Sequence, residues 1–220
     1  MSIQPLDVWR AGGSCPPGEL ARGAIAGGDG SRMEIEIGFG KGRFLLARAA
    51  AMPDTTFLGI ESAPVYWRLA SRRAERRGLR NLILVRGEAL YVLDALLERE
   101  VADALHVYFP DPWPKVRQRK RRLFDASTVD LVLGALAPGG VLQFATDHAD
   151  YGESVRRLLL RHPALGVETV EGAWPEGPRT NYETKYELAG RPILRLRATR
   201  RAGAGASLLH PDGIAAVTAE

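Results

Sequence analysis

The chain has 220 residues, 45% apolar and 25% charged, with a formal net charge of +4. That balance excludes a disordered or fibrous chain, and no run of about 18 apolar residues offers a membrane span. The single cysteine, Cys15, excludes an intrachain disulfide and a cysteine-based metal site.

Residues 1–32 carry Gly, Pro and Ser without periodicity and are expected to be an irregular arm. Residues 1–13 lack an apolar signal core, so no secretion is expected, and a cytoplasmic setting fits the lone thiol. From Met33 strand and helix patterns alternate. "MEIEI" is the first predicted strand and ends in the glycine turn "GFGKG". "RFLLARAAA" is helical and stops before Pro53. "TFLGIE" is a strand, and Pro64 opens a helix over 64–77 that stops at Gly78. "NLILVRG" is a strand, 89–99 a helix, and "ALHVYFP" a buried parallel strand. A helix over 123–137, the strand "GGVLQFAT", a helix over 151–162 and a final strand "PILRLRAT" complete the pattern.

Strand–helix alternation with short connections predicts one α/β domain, a mainly parallel, doubly wound, Rossmann-like sheet over 33–200 with a tail over 201–220. Ligands of such sheets lie outside the carboxyl ends of the strands. Glu36, Glu61, Glu88, Asp111 and Asp147 each sit at or just beyond the carboxyl end of a predicted strand. Gly38 and Gly40 let a ligand approach the backbone, but Arg43 stands where the dinucleotide fingerprint has its last glycine. Glu61 closes the next strand 25 residues after Glu36, where a carboxylate can accept both ribose hydroxyls of an adenosine. An acid at Glu36 repels a pyrophosphate and suits a methionine amine or sulfonium, which favours S-adenosylmethionine over NAD. Glu88 either reaches the adenine amino group or is a plain helix N-terminal carboxylate.

The segment "FPDPWPKVRQRKRRLFD" combines a proline-stiffened loop with six basic residues in eight. Asp111 can accept hydrogen bonds from a base, and Trp113 can stack on one. Lys115, Arg117, Arg119, Lys120, Arg121 and Arg122 supply charge for an RNA backbone. A second block holds Arg68, Arg72, Arg73, Arg76, Arg77 and Arg80. His106, His148, His162 and His210 lack metal-ligand spacing, so no metal is expected.

"EIGFGKG", "GIE", "FPDPWPKVRQRKRR", "ATDHADY" and "TNYE…GRPI" resemble, in order and spacing, the bacterial tRNA (guanine-N7)-methyltransferase family. The resemblance covers roughly 34–197 and implies a class I methyltransferase fold. It implies methyl transfer from S-adenosylmethionine to N7 of guanine 46 in the tRNA variable loop. Glu36, Glu61, Glu88 and Asp111 then look like cofactor-side residues, and Asp111 also the catalytic one. Lys115, Asp147 and the segment Thr180, Asn181, Tyr182 and Glu183 look like tRNA or guanine contacts, Asp147 and Glu183 reading the base. The overlapping unit ending at Glu187 lacks the family's spacing to Gly190, so Glu183 is preferred. The expected partner is tRNA, with no membrane and a monomer or homodimer. Rival readings are a small-molecule methyltransferase or NAD enzyme, which would not need the arginine blocks, and an RNA-binding protein without catalysis, which would not need Glu36, the glycine turn and Asp111 together.

Overall fold

A computed structural model describes residues 4–7 and 32–202. Cys15 and most of the two terminal segments lie outside the described residues. One sheet of eight strands has the order β1-β4-β3-β2-β5-β6-β8-β7. The strands are β1 Gln4–Asp7, β2 Met33–Ile37, β3 Thr56–Glu61, β4 Leu82–Arg86, β5 Ala102–Tyr108, β6 Leu136–Thr146, β7 Leu165–Thr169 and β8 Leu194–Arg200. All pairings are parallel except those of β8 with β6 and with β7. The helices are α1 Arg43–Ala51, α2 Pro64–Arg76, α3 Ala89–Tyr91, α4 Val129–Gly134, α5 Ala149–Arg161 and α6 Asn181–Leu188.

The two faces of β2 explain the layers. Met33, Ile35 and Ile37 point into one core, with Val92 and Leu96 beyond α3, Val132 of α4 and Val155 of α5. The opposite face packs Leu45 and Ala49 of α1 against Ala70 and Ala74 of α2, over Phe57, Leu82 and Leu84. Glu34 and Glu36 share this opposite face and are buried too. β2 lies between β3 and β5, so the chain reverses its direction of winding there, and a ligand crevice opens at their carboxyl ends.

Four expectations change. The segment 1–32 is not wholly irregular, because Gln4–Asp7 adds an edge strand parallel to β4 and Asp7 pairs with Arg86 at 2.9 Å. An edge tolerates the missing donor of Pro5. The helix over 123–137 shrinks to α4. Asp125 Oδ1 accepts from the backbone N–H groups of Ser127 and Thr128, and Thr128 Oγ1 donates to the Leu123 carbonyl. These local bonds compete with the first helical turns. At the other end Leu136 pairs with Ala102 and begins β6. The helix over 89–99 ends early: α3 runs into a π-helical turn, Val92–Leu96, and stops. Finally, β7 and α6 were not expected at all.

Candidate active site

The turn after β2 needs positive φ at Gly38 (+74°), Gly40 (+52°) and Gly42 (+72°), which glycine adopts without a Cβ penalty. A Cβ at Gly38 or Gly40 would meet nothing within 4 Å, so the turn faces open space at the crevice. Glu61, at the end of β3, is held by two backbone donors. Gly40 N–H reaches one carboxylate oxygen at 2.8 Å and Ala63 N–H the other at 2.9 Å. Each oxygen keeps lone-pair capacity for a further donor.

Glu36 is 3% exposed, and its Oε2 has no hydrogen-bond partner among the described residues. Burial pushes its carboxyl up to about 8, the nearby Glu61 charge adds to this, and the Leu45 backbone N–H opposes it. An orphaned carboxylate oxygen beside an open glycine turn fits a cationic ligand, and the paired oxygens of Glu61 fit a ribose diol. The residues present therefore suit S-adenosylmethionine. Glu88 is exposed and accepts from the Tyr91 backbone N–H at 2.9 Å. The structure thus gives Glu88 a helix-capping role.

The loop after β5 is fixed at both ends. Phe109 N–H donates to the Ala145 carbonyl at 2.7 Å. Phe109 (φ +52°) and Trp113 (φ +40°) both occupy the left-handed region, at about 1–3 kcal/mol of strain each. Asp111 lies between them, exposed and without a hydrogen bond or ion pair among the described residues.

The basic run does not act as one surface. Arg122, expected on the RNA backbone, is 5% exposed and serves the loop instead. Its Nε donates to the Pro112 carbonyl at 2.8 Å, another nitrogen reaches Asp150 at 2.9 Å, and its guanidinium lies 4.7 Å from the Tyr151 ring centre. Arg121 lies over the Trp113 ring at 4.9 Å, and Arg119 pairs with Asp150 at 3.3 Å. Lys115, Arg117 and Lys120 are exposed on or beside the 3-10 turn Val116–Arg121.

On the opposite wall, Asp147 follows β6 and accepts from Arg191 at 3.4 Å. Thr180 caps α6 through the Glu183 backbone N–H at 3.0 Å. Asn181 Oδ1 and Thr184 Oγ1 accept from Arg43 at 3.4 and 2.7 Å. Tyr182 is exposed, and together with Tyr186 it packs against Phe109, so α6 and the Asp111 loop meet. Glu183 differs from expectation. It is fully buried, with Oε1 accepting from Arg195 at 2.8 Å and Oε2 from the Arg179 backbone N–H at 2.7 Å. Both oxygens are committed inside the protein, so Glu183 fastens α6 and does not face a base.

Sequence reasoning missed the buried polar cluster behind the site. Glu34 accepts from Arg48 and from His106 Nε2, and His106 Nδ1 lies 2.9 Å from the Tyr108 hydroxyl. Burial alone would raise the Glu34 carboxyl, but the His106 and Arg48 hydrogen bonds hold it at about 2. Arg179 donates to Tyr108 and Gln143 and lies 4.0 Å from the Trp174 ring centre. The available signal was a charged residue inside a strand pattern, Glu34 in "MEIEI" and His106 in "ALHVYFP". Among the described residues no acidic, His or Cys group is placed to hold a metal ion, and no helix is long and apolar enough to cross a membrane.

Residues 31–196 match a family model described as "Putative methyltransferase". The tRNA (guanine-N(7)-)-methyltransferase of Nitrosococcus oceani is 37% identical over 194 residues, 88% of this chain and 82% of that protein. Its counterpart in Chromohalobacter salexigens is 38% identical, over 84% of this chain and 76% of that one. That of Treponema pallidum is 40% identical over 74% of this chain, which spans only 64% of its length. Among solved structures, an rRNA methylase from Streptococcus thermophilus matches 79% of this chain and 89% of its own with TM-score 0.56 and 11% identity. A SAM-dependent O-methyltransferase from Thermotoga maritima matches 84% and 64% with TM-score 0.55 and 17% identity. These two carry the fold alone, a class I methyltransferase sheet. The sequence relatives carry more: the chain belongs to the tRNA (guanine-N7)-methyltransferase family.

Proposed function

We propose that the protein transfers a methyl group from S-adenosylmethionine to N7 of guanine 46 in the variable loop of tRNA. The observation that carries this reading is the pairing of two carboxyl groups at the reversal of the sheet. Glu36 is buried with an unmatched oxygen near the carboxyl end of β2, and Asp111 is exposed and without a partner among the described residues after β5. One suits the cationic methionine end of a methyl donor. The other is free for a substrate base.

Bound S-adenosylmethionine supplies a methyl group on a positively charged sulfur. Guanine N7 has an in-plane lone pair and no proton, so no strong general base is needed. The lone pair forms the new C–N bond as the methyl–sulfur bond breaks, and the positive charge passes to the purine. Asp111 stabilises that developing charge, the kind of fixed electrostatic contact that dominates many catalytic effects. Glu36 faces the donor's cationic end, Glu61 accepts the ribose hydroxyls, and Gly38 and Gly40 give backbone access. Asp147 accepts from the guanine N1 and N2 donors once Arg191 yields. Asn181 and Tyr182, on the first turn of α6, line the base's other side, with Thr180 holding that turn. Lys115, Arg117 and Lys120 contact phosphates. The reading sits with a cytoplasmic monomer or homodimer.

Incubation with tritiated S-adenosylmethionine and bulk tRNA, followed by nucleoside and position analysis, should place label in 7-methylguanosine at position 46. Asp111→Ala should lower turnover at saturating substrates about a hundredfold with the fold intact. Label in another nucleoside would sink the substrate assignment, and near-normal turnover of the variant would move the catalytic role elsewhere.

A further inference from the structure

A second basic surface lies beside the glycine turn and has no part in the chemistry described so far. A cleft of about 730 Å³ opens between the start of α1, the last turns of α2 and the start of α6. Lys41, Arg43, Arg73, Arg76, Arg77 and Asn181 line it, and no acidic residue does. Only part of this charge serves the fold. Arg73 donates to the Lys41 carbonyl at 2.8 Å, and Arg43 is spent on Asn181 and Thr184 of α6. Lys41, Arg76 and Arg77 are exposed and make no ion pair among the described residues.

Two features argue against a plain solvated face. Along α2, Arg68, Arg72 and Arg76 repeat every fourth residue, as do Arg73 and Arg77. Like charges at that spacing destabilise a helix by about 0.2–0.5 kcal/mol per pair. The dipole at the end of α2 offsets part of this repulsion for Arg73, Arg76 and the C-cap residue Arg77, but not for Arg68 and Arg72. Across the cleft, Arg43 sits at the first position of α1, whose first turn holds no acidic residue. The helix dipole is positive there, so the cation adds to it instead of cancelling it. The side chains of both walls and the start of α1 therefore turn positive charge toward one volume, partly offset by the end of α2. The lining offers no aromatic face for a base and little apolar surface, only Leu46 and Ala47. What it can hold is phosphate.

We infer that this cleft binds the phosphodiester backbone of the RNA substrate, at a site separate from Lys115–Arg121. The inference rests on the tRNA reading above. Arg43 ties the cleft to one side of α6, while Phe109 ties the Asp111 loop to Tyr182 and Tyr186 on that helix. The RNA then crosses α6, with phosphates gripped on both sides of the reacting base. Gly40 faces the donor crevice and Gly42, two residues on, lines the cleft, so the second grip is close to the chemistry.

The test is tRNA binding to the full chain across a salt series, for wild type, Arg76→Ala/Arg77→Ala and Arg76→Glu/Arg77→Glu. Each lost phosphate contact should flatten the slope of log affinity against log salt by roughly 0.7–0.9 units, so the alanine pair should flatten it by about 1.5. The glutamate pair should weaken binding further. S-adenosylmethionine affinity and turnover at saturating tRNA should stay at wild-type values, and the melting temperature of the alanine pair should stay close to wild type, because lost repulsion along α2 offsets the lost dipole contact. Slopes parallel to wild type in both variants would overturn the inference. So would inorganic phosphate binding lost in both variants while tRNA affinity is unchanged, since the cleft would then be a small-anion site. The binding readout is independent of methyl transfer. A wild-type protein that binds tRNA in this way but leaves guanine 46 unmodified would fail the functional reading and keep the cleft.

Discussion

Two glutamates on one face of one strand meet opposite electrostatic fates. Glu34 has His106 and Arg48 as partners and stays ionised, with a carboxyl at about 2. Glu36, two residues on, is buried with one oxygen unmatched and sits at about 8. In the free protein near pH 7, Glu36 is therefore mostly protonated. A cation at that oxygen favours the carboxylate, so S-adenosylmethionine binding should release up to one proton between pH of about 4.5 and 8. Affinity should rise with pH across that window and level off above it. The sign for stability is reversed. The raised carboxyl contributes most below about 4.5, and the contribution is lost as pH rises through about 8. Calorimetric titration in two buffers of different ionisation enthalpy counts the proton. Glu36→Gln should abolish the release, and an unchanged release in that variant would assign it to another group. The sequence placed both acids in the strand, but it could not separate them: the difference lies in His106, 72 residues away, and in the side chain of Arg48.

Among elements, the loop between β5 and α4 depends on an arginine that looked from its neighbours like part of a phosphate-binding run. Arg122→Ala leaves the Pro112 carbonyl unmatched and uncovers Tyr151. It should lower unfolding free energy by about 1–3 kcal/mol and reduce turnover by loosening Asp111. Arg117→Ala/Lys120→Ala should stay within about 0.5 kcal/mol of wild type and flatten the salt dependence of tRNA binding by about 1.5 units. Denaturant titration and salt-series binding separate the two, and a matching loss of stability in both variants would mean that the exposed pair is structural too. The run's composition was legible, but the burial of its last member was not, because that depends on α5 beneath it. The same limit explains α6. "NYETKYEL" shows no apolar stripe since the residue it turns inward is Glu183, matched by Arg195. β7 is a largely exposed edge strand without clear alternation. The strands behind Glu61, Asp111 and Asp147 were readable because their buried runs are mostly apolar, and β2 because Met33, Ile35 and Ile37 alternate with its two acids.

At the scale of the molecule, β2 and β5 sit centrally with buried residues on both faces, whereas β1 and β7 close the two edges. Hydrogen exchange should find the slowest amides in β2, β3 and β5 and the fastest strand amides in β1 and β7. Slow exchange in β7 would imply that a further element or partner covers that edge in solution. The antiparallel pair β7–β8 has another consequence. Thr169 stands opposite Leu196, and Val170 N–H donates to the Arg195 carbonyl at 2.9 Å. Everything between, including Trp174, Arg179 and α6, leaves the sheet and returns at a single closed base. Closure entropy grows only with the logarithm of loop length, so lengthening this excursion at its exposed turns costs the sheet little, whereas exchanging it requires that Trp174 and Arg179 keep Tyr108 and Gln143 as partners. The donor-side residues Glu36 and Glu61 and the glycine turn lie outside this excursion, which carries Thr180, Asn181 and Tyr182 of the substrate wall. A chimera carrying the 170–195 segment of a relative, with partners for Arg43, Tyr108, Phe109 and Gln143 preserved, should keep this protein's affinity for the methyl donor, and a loss of that affinity would show that the excursion also shapes the donor crevice.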